Sequence, residues 1–219
     1  RTYPGTSAAV MGLFSGLHTK VAVYMLYRLY VQLFGLDQRW NVLIIVIMII
    51  SMMIGAFGGL AENSIRRVLG YQMLNGMPFI LVMLAFTSDD PRRALAAGIM
   101  YTIHHMLTVG SLILASGAIE ETYGTGLLTK LSGLARRDPI IAWIFAAGAF
   151  SVVGFPPFSG MWGKLMIVFE IARVGGAWAW IAIAAIIIAS FAAFLAMLRV
   201  WRKVFWGKGL PEDKVPDEL

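Results

Sequence analysis

Two lysines lie inside long apolar stretches of this sequence, where a charged side chain is unexpected. Lys20 lies near the middle of the stretch from 6 to 34, and Lys164 directly follows the segment Phe155-Pro-Pro-Phe-Ser-Gly-Met-Trp-Gly. A charged group at the centre of a bilayer costs about 2.5–3.5 kcal/mol on insertion scales. Such a lysine must face a cavity or a partner, and in that setting it can exchange a proton.

Snorkelling is the alternative for these lysines: the stem lies in lipid and the ammonium group reaches the headgroups. Snorkelling suits helix ends and not the middle of a span, so a functional role is favoured for Lys20. Lys164 follows a predicted helix break around residues 154–164, and broken helices with ion sites at the break recur in transporters. The residues that predict the break are Pro156, Pro157, Gly160 and Gly163.

Two adjacent histidines, His104 and His105, lie about one third of the way into the stretch from 94 to 119. Histidine titrates near neutrality and can relay protons between lysines. His105, Thr108 and Ser111 follow at intervals of three and are predicted to share a polar face, which favours His105 as the relay. A packing histidine is the alternative. No metal site is expected, because neighbouring histidines point about 100° apart on a helix and no carboxylate is near.

The composition predicts a lipid environment for these residues. Of 219 residues, 59% are hydrophobic and 14% are charged, and the mean hydropathy is +0.76. A soluble domain carries about a quarter charged residues and cannot bury so much apolar surface. The chain has no cysteine, which excludes disulfides and cysteine-ligated metal or iron–sulfur sites. The predicted fold is all-α, a polytopic transmembrane helix bundle.

About 20 apolar residues cross a bilayer as a helix, and six stretches of this chain are long enough. They cover residues 6–34, 42–60, 68–86, 94–119, 139–172 and 177–201. The fifth is too long for one straight span, in agreement with the predicted break. Asp90 and Asp138 each precede a proline, so each aspartate is predicted to cap the helix that follows. Residues 208–219 are polar and are predicted to form a cytoplasmic tail beyond the domain 1–207.

The basic residues lie mainly in short loops and account for the formal net charge of +6. Apart from the two buried lysines, eleven lie on the side of the chain start and the tail, and five on the other. The positive-inside rule assigns the first side to the cytoplasm and explains the excess charge without a nucleic-acid partner. No phosphate loop, dinucleotide fingerprint or nucleophile triad occurs, so neither an enzyme nor a cofactor site is predicted.

Five segments together resemble the antiporter-like membrane subunits. This family includes the proton-pumping subunits of complex I, membrane-bound hydrogenases and Mrp-type cation/proton antiporters. Tyr3-Pro-Gly-Thr-Ser and the following Gly16-Leu-His-Thr-Lys-Val-Ala-Val-Tyr are similar to its lysine-bearing eighth helix. The other four resemble the approach to the tenth helix, the eleventh, the broken twelfth and the end of the thirteenth: Ile65-Arg-Arg-Val-Leu-Gly-Tyr, His104-His105-Met-Leu, Gly154-Phe-Pro-Pro-Phe-Ser-Gly-Met-Trp-Gly-Lys and Val204-Phe-Trp-Gly.

The double proline, the paired histidines and the Phe-Trp-Gly ending resemble most the D subunits of the Mrp-type Na⁺/H⁺ antiporters. The resemblance implies two inverted five-helix repeats in a longer subunit, of which this chain is a C-terminal portion: the last helix of the first repeat and all of the second. It also implies a multi-pass transporter of the bacterial plasma membrane without a cofactor. Its partners would be other antiporter subunits, its transported ions Na⁺ and H⁺, and its proton relay Lys20, His105, His104 and Lys164.

Two departures from the family pattern keep other functions open. Val109 stands where complex-I-type members usually carry a lysine, and Gln72-Met-Leu-Asn-Gly-Met-Pro replaces a serine-rich run, which leaves Asn75 unexplained. The first alternative function is a proton-pumping membrane subunit of a complex I-like NADH–quinone oxidoreductase or a membrane-bound hydrogenase, with the redox centres in partner chains. The second is a structural membrane subunit, in which the lysines only pair with carboxylates of partners.

Overall fold

The computed structural model describes residues 6–208, and this part of the chain is almost entirely helical, without a strand. The first residues of the Tyr3 motif, and the predicted tail from residue 209 onward, lie outside the described residues. The predicted all-α helix bundle is confirmed. Its eight helices are α1 (Ala8–Gln32), α2 (Gln38–Ala61), α3 (Ile65–Ala85), α4 (Pro91–Tyr123), α5 (Leu134–Arg137), α6 (Pro139–Val153), α7 (Ser159–Val174) and α8 (Gly176–Phe205).

Five helices of the described chain are long and apolar enough to cross a membrane, namely α1 to α4 and α8. The remaining stretch is divided: α6 has 15 residues and α7 has 16. At 1.5 Å per residue each is about 22–24 Å long, shorter than a hydrocarbon core of about 30 Å. The predicted break thus divides the stretch 139–172 into two short helices, and its passage through the membrane as a sixth crossing stays a prediction.

The two predicted aspartate caps have different outcomes. Asp90 accepts hydrogen bonds from the main-chain N–H groups of Arg92 and Arg93, at 3.0 and 3.3 Å, so it caps α4 as predicted. Asp138 also stands directly before a helix, but its carboxylate makes no capping bond. It accepts a hydrogen bond from the hydroxyl of Tyr123 at the end of α4 instead. The predicted position of Asp138 directly before α6 is confirmed, but the predicted capping bond from its side chain is wrong.

Helix α4 occupies the middle of the bundle, where it contacts α1, α3, α6 and α7, while α2 packs between α3 and α8. Small residues allow the closest approaches. A Cβ atom at Gly55 of α2 would lie 2.5 Å from the main-chain nitrogen of Asn75 in α3. The hydroxyl of Tyr27 in α1 donates to the carbonyl of Ile80 in α3 at 2.5 Å and lies against Gly98 of α4. These contacts bring α1, α3 and α4 together around the middle of the bundle.

Charged side chains connect the ends of neighbouring helices by hydrogen bonds and ion pairs. Arg199 of α8 donates to the carbonyls of Leu60 and Glu62 at 2.7 and 2.6 Å, where α2 ends and its carbonyls lack helical donors. Arg66 of α3 pairs with Glu120 near the end of α4. Within the described part of the chain, none of the ion pairs involves Lys20 or Lys164. In the described chain, Lys20 and Lys164 are therefore surrounded by neutral groups and not by carboxylates.

Candidate functional site

The break between α6 and α7 leaves two main-chain carbonyls without their helical donors. In an unbroken helix the carbonyls of Val152 and Val153 would accept from the amides four residues later. Those positions are Pro156 and Pro157, which have no N–H group. The Nζ atom of Lys164 donates to both carbonyls instead, at 3.1 and 2.7 Å. The ammonium group thus replaces the two hydrogens that the prolines remove.

The third hydrogen of the Lys164 ammonium group also has an acceptor. Nζ lies 3.0 Å from the hydroxyl oxygen of Ser190 in α8 and 5.3 Å from the ring centre of Phe79 in α3. An ammonium group has three donors, and here all three meet neutral oxygens. The aromatic face adds a cation–π contact. Lys164 is held in a fixed place without a counter-charge in the described chain.

Three glycines have identifiable roles at the break: Gly154 and the two predicted ones, Gly160 and Gly163. Gly154 has a φ of +94°, a conformation that closes α6 and that a residue with a side chain adopts only under strain. At Gly160 a Cβ atom would lie 1.8 Å from the carbonyl oxygen of Ser151, so only glycine lets α7 begin against the end of α6. Gly163 lies against Tyr101 of α4. The glycines therefore position Lys164, one turn into α7.

Lys20 lies in α1 beside a π-helical turn, Phe14–His18, and only 5% of its surface is exposed. Its Nζ atom donates to the carbonyl of Ser15 at 2.7 Å and to the hydroxyl of Thr19 at 3.3 Å. The same Ser15 carbonyl also accepts from the Thr19 hydroxyl at 2.9 Å. A π-turn loosens the main-chain bonding and is frequent at functional sites. Within the described residues the third hydrogen of this ammonium group has no acceptor.

His104 belongs to a closed group of hydroxyls. Its Nδ1 atom lies 2.8 Å from the Oγ atom of Ser159 and 3.3 Å from the Oγ1 atom of Thr108. The Oγ atom of Ser151 completes the group, 3.3 Å from Thr108 and 3.2 Å from Ser159. The start of α7, the end of α6 and the middle of α4 meet at these four side chains. They form a short chain of exchangeable protons.

The prediction that His105, Thr108 and Ser111 share a polar face of α4 is wrong. Thr108 bonds to His104, four residues before it, and not to His105. Ser111 is exposed and donates to the carbonyl of Leu107 in its own helix. A spacing of three places residues near one another but leaves about 60° between their directions, and the hydroxyls of α6 and α7 decide which histidine they join.

His105 is 2% exposed and lies against α3, where a Cβ atom at Gly76 would be 1.9 Å from its Nε2 atom. The main-chain carbonyl of Gln72 faces the ring. No group of the described chain, however, meets hydrogen-bonding geometry at either ring nitrogen. The side-chain amide of Gln72 and the side-chain oxygen of Asn75 are likewise buried without a protein partner. Buried polar atoms are normally bonded to protein or to water, so this cluster is suited to hold water.

The four predicted residues lie in one zone of the bundle, the buried zone, in which Lys20, His104 and His105 are buried and Lys164 is half-buried. The ring of Tyr101 lies 5.2 Å from that of His104 and 6.1 Å from that of His105. The π-helical turn beside Lys20 packs on α4 at Met106, the residue after His105. The ring of Phe79 lies 5.3 Å from Nζ of Lys164 and 5.4 Å from the ring of Tyr101. Lys20 comes from α1, the histidines from α4 and Lys164 from α7. Groups that can each carry a proton thus follow one another across the bundle.

Residues 2–194 match a single protein-family model, described as NADH:quinone oxidoreductase/Mrp antiporter, transmembrane. The chain belongs to this family. The family resemblance predicted from the sequence motifs is confirmed.

Individual members of this family align with almost the whole length of this chain. The structure of the Mrp complex from Dietzia sp. DQ12-45-1b contains a chain that is 38% identical, with a TM-score of 0.91, covering 98% of this chain and 39% of that one. The D subunit of the Na⁺/H⁺ antiporter of Alkalihalophilus pseudofirmus is 30% identical over 95% of this chain and 41% of its own length. The N subunit of the NADH-quinone oxidoreductase of Hydrogenovibrio crunogenus is 30% identical over 99% and 44%, respectively. The chain spans about two fifths of the length of these relatives.

Several polar partners in this member of the family were not singled out from the sequence. Ser190 is an isolated hydroxyl in the apolar part of α8, and Ser15 is a small residue between Phe14 and Gly16. A lone polar residue in an apolar helix signals a buried contact but does not identify the partner. Ser151 and Ser159 flank the break, where their residue type is also common in turns. The bundle decides which lysine or histidine each serine contacts.

Proposed function

We propose that this chain is part of a proton-translocating membrane subunit of a multi-subunit Na⁺/H⁺ antiporter in the bacterial plasma membrane. The observation that carries the proposal is the buried zone of Lys20, His105, His104 and Lys164, in which every protein partner is neutral. A structural salt bridge would place a carboxylate there. A zone of titratable groups with neutral partners favours the movement of charge.

The neutral surroundings allow each group to respond to its neighbours. A proton that arrives on one basic group disfavours a second positive charge close by, because the interior screens charges weakly. A proton can therefore pass from Lys20 towards the histidines and Lys164 as each group becomes charged and discharges in turn. The hydroxyls around His104 can carry a proton over the short gap to Ser159, at the start of the helix that bears Lys164. No covalent bond to a substrate is made, so the function is transport.

The likeness to Mrp antiporters supports Na⁺ as the ion exchanged for H⁺ and other membrane subunits as partners. The Alkalihalophilus relative is named as part of a Na⁺/H⁺ antiporter, and the Dietzia chain is part of an Mrp complex. Exchange in such a complex needs a path for each ion. The basic zone of this chain suits protons and repels Na⁺, so the sodium path is proposed to lie elsewhere in the complex.

A second candidate function rests on the likeness to the N subunit of NADH-quinone oxidoreductase, which covers 99% of this chain. In that case electron transfer in partner chains would drive the same proton zone. The structural alternative, in which lysines only bind partner carboxylates, is disfavoured for Lys164. Its three hydrogens already have acceptors within the chain, so no donor is left for a partner.

The proposal is tested by cation-driven loss of a pH gradient in inverted membrane vesicles that contain the whole assembled complex. The variants are Lys20→Ala and Lys164→Ala, with Lys130→Ala as control, since Lys130 is exposed in a loop. We expect Na⁺ to dissipate the gradient in the wild type and in the control. Each buried variant should lose at least tenfold in rate with assembly intact.

Three outcomes would overturn the proposal in different ways. Unchanged exchange in both buried variants would make these lysines structural. No response to Na⁺ in the wild type, together with proton pumping upon addition of NADH and quinone, would favour the redox-driven candidate. An equal loss in Lys130→Ala would show that removal of any lysine from this chain disturbs the complex.

A further inference from the structure

Helix α8 carries a single hydroxyl side chain, Ser190, and this hydroxyl lies beside Lys164. Its Oγ atom accepts a hydrogen bond from the Nζ atom of Lys164 at 3.0 Å, although the two residues are 26 positions apart in the sequence. A polar residue within an apolar membrane helix is unfavourable unless it faces a partner. The place of Ser190 therefore indicates a role at the lysine.

The hydroxyl hydrogen of Ser190 is not used within its own helix. Serine and threonine in a helix can donate to a main-chain carbonyl about one turn earlier. Five other hydroxyl side chains of this bundle do so: Ser15, Thr19, Thr102, Ser111 and Ser116. Within the described residues, the bond from Lys164 is the only hydrogen bond of the Ser190 side chain. Its hydrogen is therefore free to point away from the lysine or towards it.

The three partners of the Lys164 ammonium group differ in what they can do with a proton. The carbonyl oxygens of Val152 and Val153, at 3.1 and 2.7 Å, can only accept hydrogen bonds, whereas a hydroxyl both accepts and donates. A protonated lysine has three hydrogens for these three oxygens. A neutral amine has two hydrogens for the two carbonyls, and its lone pair can accept from a reversed Ser190 hydroxyl. Lys164 can thus change its charge without changing its position.

We infer that Ser190 is the residue through which Lys164 gains and loses its proton, in exchange with a water molecule beside the hydroxyl. When the lysine discharges, the N–H bond that faces Ser190 breaks and a new O–H bond forms on Oγ. The original O–H bond of the serine breaks at the same time, and its proton joins the water molecule as H₃O⁺. The lysine becomes neutral, the serine remains neutral, and the reverse sequence recharges the lysine. This inference rests on the proposed transport of protons through Lys164.

The titratable groups of the helices around Lys164 leave this role to the serine. Helix α7 packs on α4, α6 and α8. Helix α6 has no titratable side chain, and the first one in α8 is Arg199, nine residues after Ser190. In α7 itself, Glu170 pairs with Arg173 at 3.7 Å. None of these side chains is bonded to Lys164 in the described chain.

The side chains of α3 and α4 beside Lys164 are aromatic rings. The ring centre of Phe79 lies 5.3 Å from Nζ, and the ring of Tyr101 stacks on Phe79 at 5.4 Å. His104 is bonded to hydroxyl groups and, within the described residues, not to the lysine. These rings can influence the charge of Lys164, but the hydroxyl of α8 is its one bonded partner in the described chain that can take up and release a proton.

The test compares threonine with valine at position 190, in vesicles that contain the whole assembled complex. The two side chains have the same shape, but only threonine keeps an oxygen that can pass on a proton. Ser190→Ala is a third variant, which needs no additional space. The control is Ser116→Ala, since Ser116 is a buried hydroxyl that donates to the carbonyl of Ile113 in its own helix. The antiport rate of each variant is measured over a range of pH.

We expect Ser190→Val and Ser190→Ala to lose about tenfold in maximal rate, as for the loss of a proton-transfer group. The midpoint of the pH profile should stay in place, because both charge states of Lys164 lose the same partner. Ser190→Thr and the control should keep most of the wild-type rate. An unchanged maximal rate with a midpoint at lower pH would overturn the inference, because Ser190 would then only stabilise the charged lysine. Equal rates of Ser190→Thr and Ser190→Val, or a wild-type rate of Ser190→Ala, would also overturn it.

Failure of this inference can be distinguished from failure of the proposed function. Loss of exchange in Lys164→Ala, together with wild-type exchange in Ser190→Val, would remove Ser190 from the proton path and leave the proposed function in place. Wild-type exchange in both variants would remove Lys164 from the path as well.

Discussion

Lys20 and Lys164, at the two ends of the buried zone, are held by the same kind of hydrogen bond, but Lys164 makes more of them. At both ends an irregular helix exposes a main-chain carbonyl, and a lysine ammonium group donates to it. Lys164 uses all three hydrogens, on two carbonyls and a serine, beside a histidine whose Nδ1 atom has two hydroxyl neighbours. Lys20 uses two, and neither nitrogen of the nearby His105 is bonded in the described chain. One end is held in place, and the other is left free to change its partners.

This difference gives Lys164 a structural role in addition to its proposed role in transport, whereas Lys20 has mainly the second. A group whose every donor is satisfied stabilises the fold around it, and it can leave its position only by exposing two carbonyls. A group with a free donor can take up a water molecule or another acceptor at little cost. We therefore expect changes at the Lys164 end to affect both stability and transport, and changes at the Lys20 end to affect mainly transport.

The largest expected effect is a difference in stability: Lys164→Ala should be less stable than Lys20→Ala. Both variants remove the cost of a buried charge, so that term cancels between them. Lys164→Ala leaves two carbonyls without donors, at about 1–3 kcal/mol each, whereas the Ser15 carbonyl keeps its bond from Thr19 in Lys20→Ala. Thermal unfolding of the purified complex should occur at a clearly lower temperature in Lys164→Ala. Equal unfolding temperatures would remove the distinction between the two ends.

The variant Pro156→Ala tests the same comparison, because it is expected to restore part of the stability that Lys164→Ala loses. Pro156→Ala restores an amide hydrogen that can donate to the Val152 carbonyl, the partner that Lys164 otherwise serves. Added to Lys164→Ala, it should recover part of the unfolding temperature and none of the antiport. A double variant no more stable than Lys164→Ala would show that the lysine does not replace the missing amide.

The intermediate effect concerns His105 and uses two glycines of α3. In Gly76→Ala the new Cβ atom would lie 1.9 Å from Nε2 of His105, so the ring must move. At Gly70 no atom lies within 4 Å of the equivalent position. Gly76→Ala should lower the antiport rate about tenfold, and Gly70→Ala should leave it unchanged, as measured in vesicles. Equal activity of the two variants would indicate that the place of His105 is unimportant for transport.

The smallest expected effect is that of Ser159→Ala, which removes the 2.8 Å bond to Nδ1 of His104. Thr108 remains 3.3 Å from the same nitrogen, so the ring keeps one neighbour. The antiport rate should fall by about two- to fivefold, with a changed pH profile, because a proton-exchanging partner has been lost. Ser111→Ala, which affects an exposed hydroxyl, is the control. A pH profile identical to the wild type would make Ser159 a packing residue.

Some features could be predicted from the sequence because they depend on residue type along the chain. The apolar stretches predict a helix bundle, and the absence of amide hydrogens at Pro156 and Pro157 predicts a break near Lys164. Asp90 before a proline predicts the start of α4. Each of these follows from local chemistry that no tertiary contact needs to complete. The family follows from such motifs taken together.

Other predictions failed because they needed a partner from another helix. Asp138 precedes a proline as Asp90 does, yet its carboxylate accepts from Tyr123 and makes no capping bond in its own helix. The spacing on α4 assigned Thr108 to His105, while hydroxyls from α6 and α7 direct it to His104. Helical periodicity predicts the direction of a side chain to within a fraction of a turn, but it does not predict which residue of another helix the side chain contacts.

The sequence by itself determined that this chain forms a bundle of apolar helices, that the stretch 139–172 is broken and that two lysines lie within apolar stretches. Only the tertiary structure decided how those lysines are held, because the acceptors for their hydrogens come from irregular main chain and from other helices. It also decided that the two ends of the buried zone differ. A hydrogen bond needs two groups within about 3 Å, and packing brings together residues as far apart in sequence as Lys164 and Ser190.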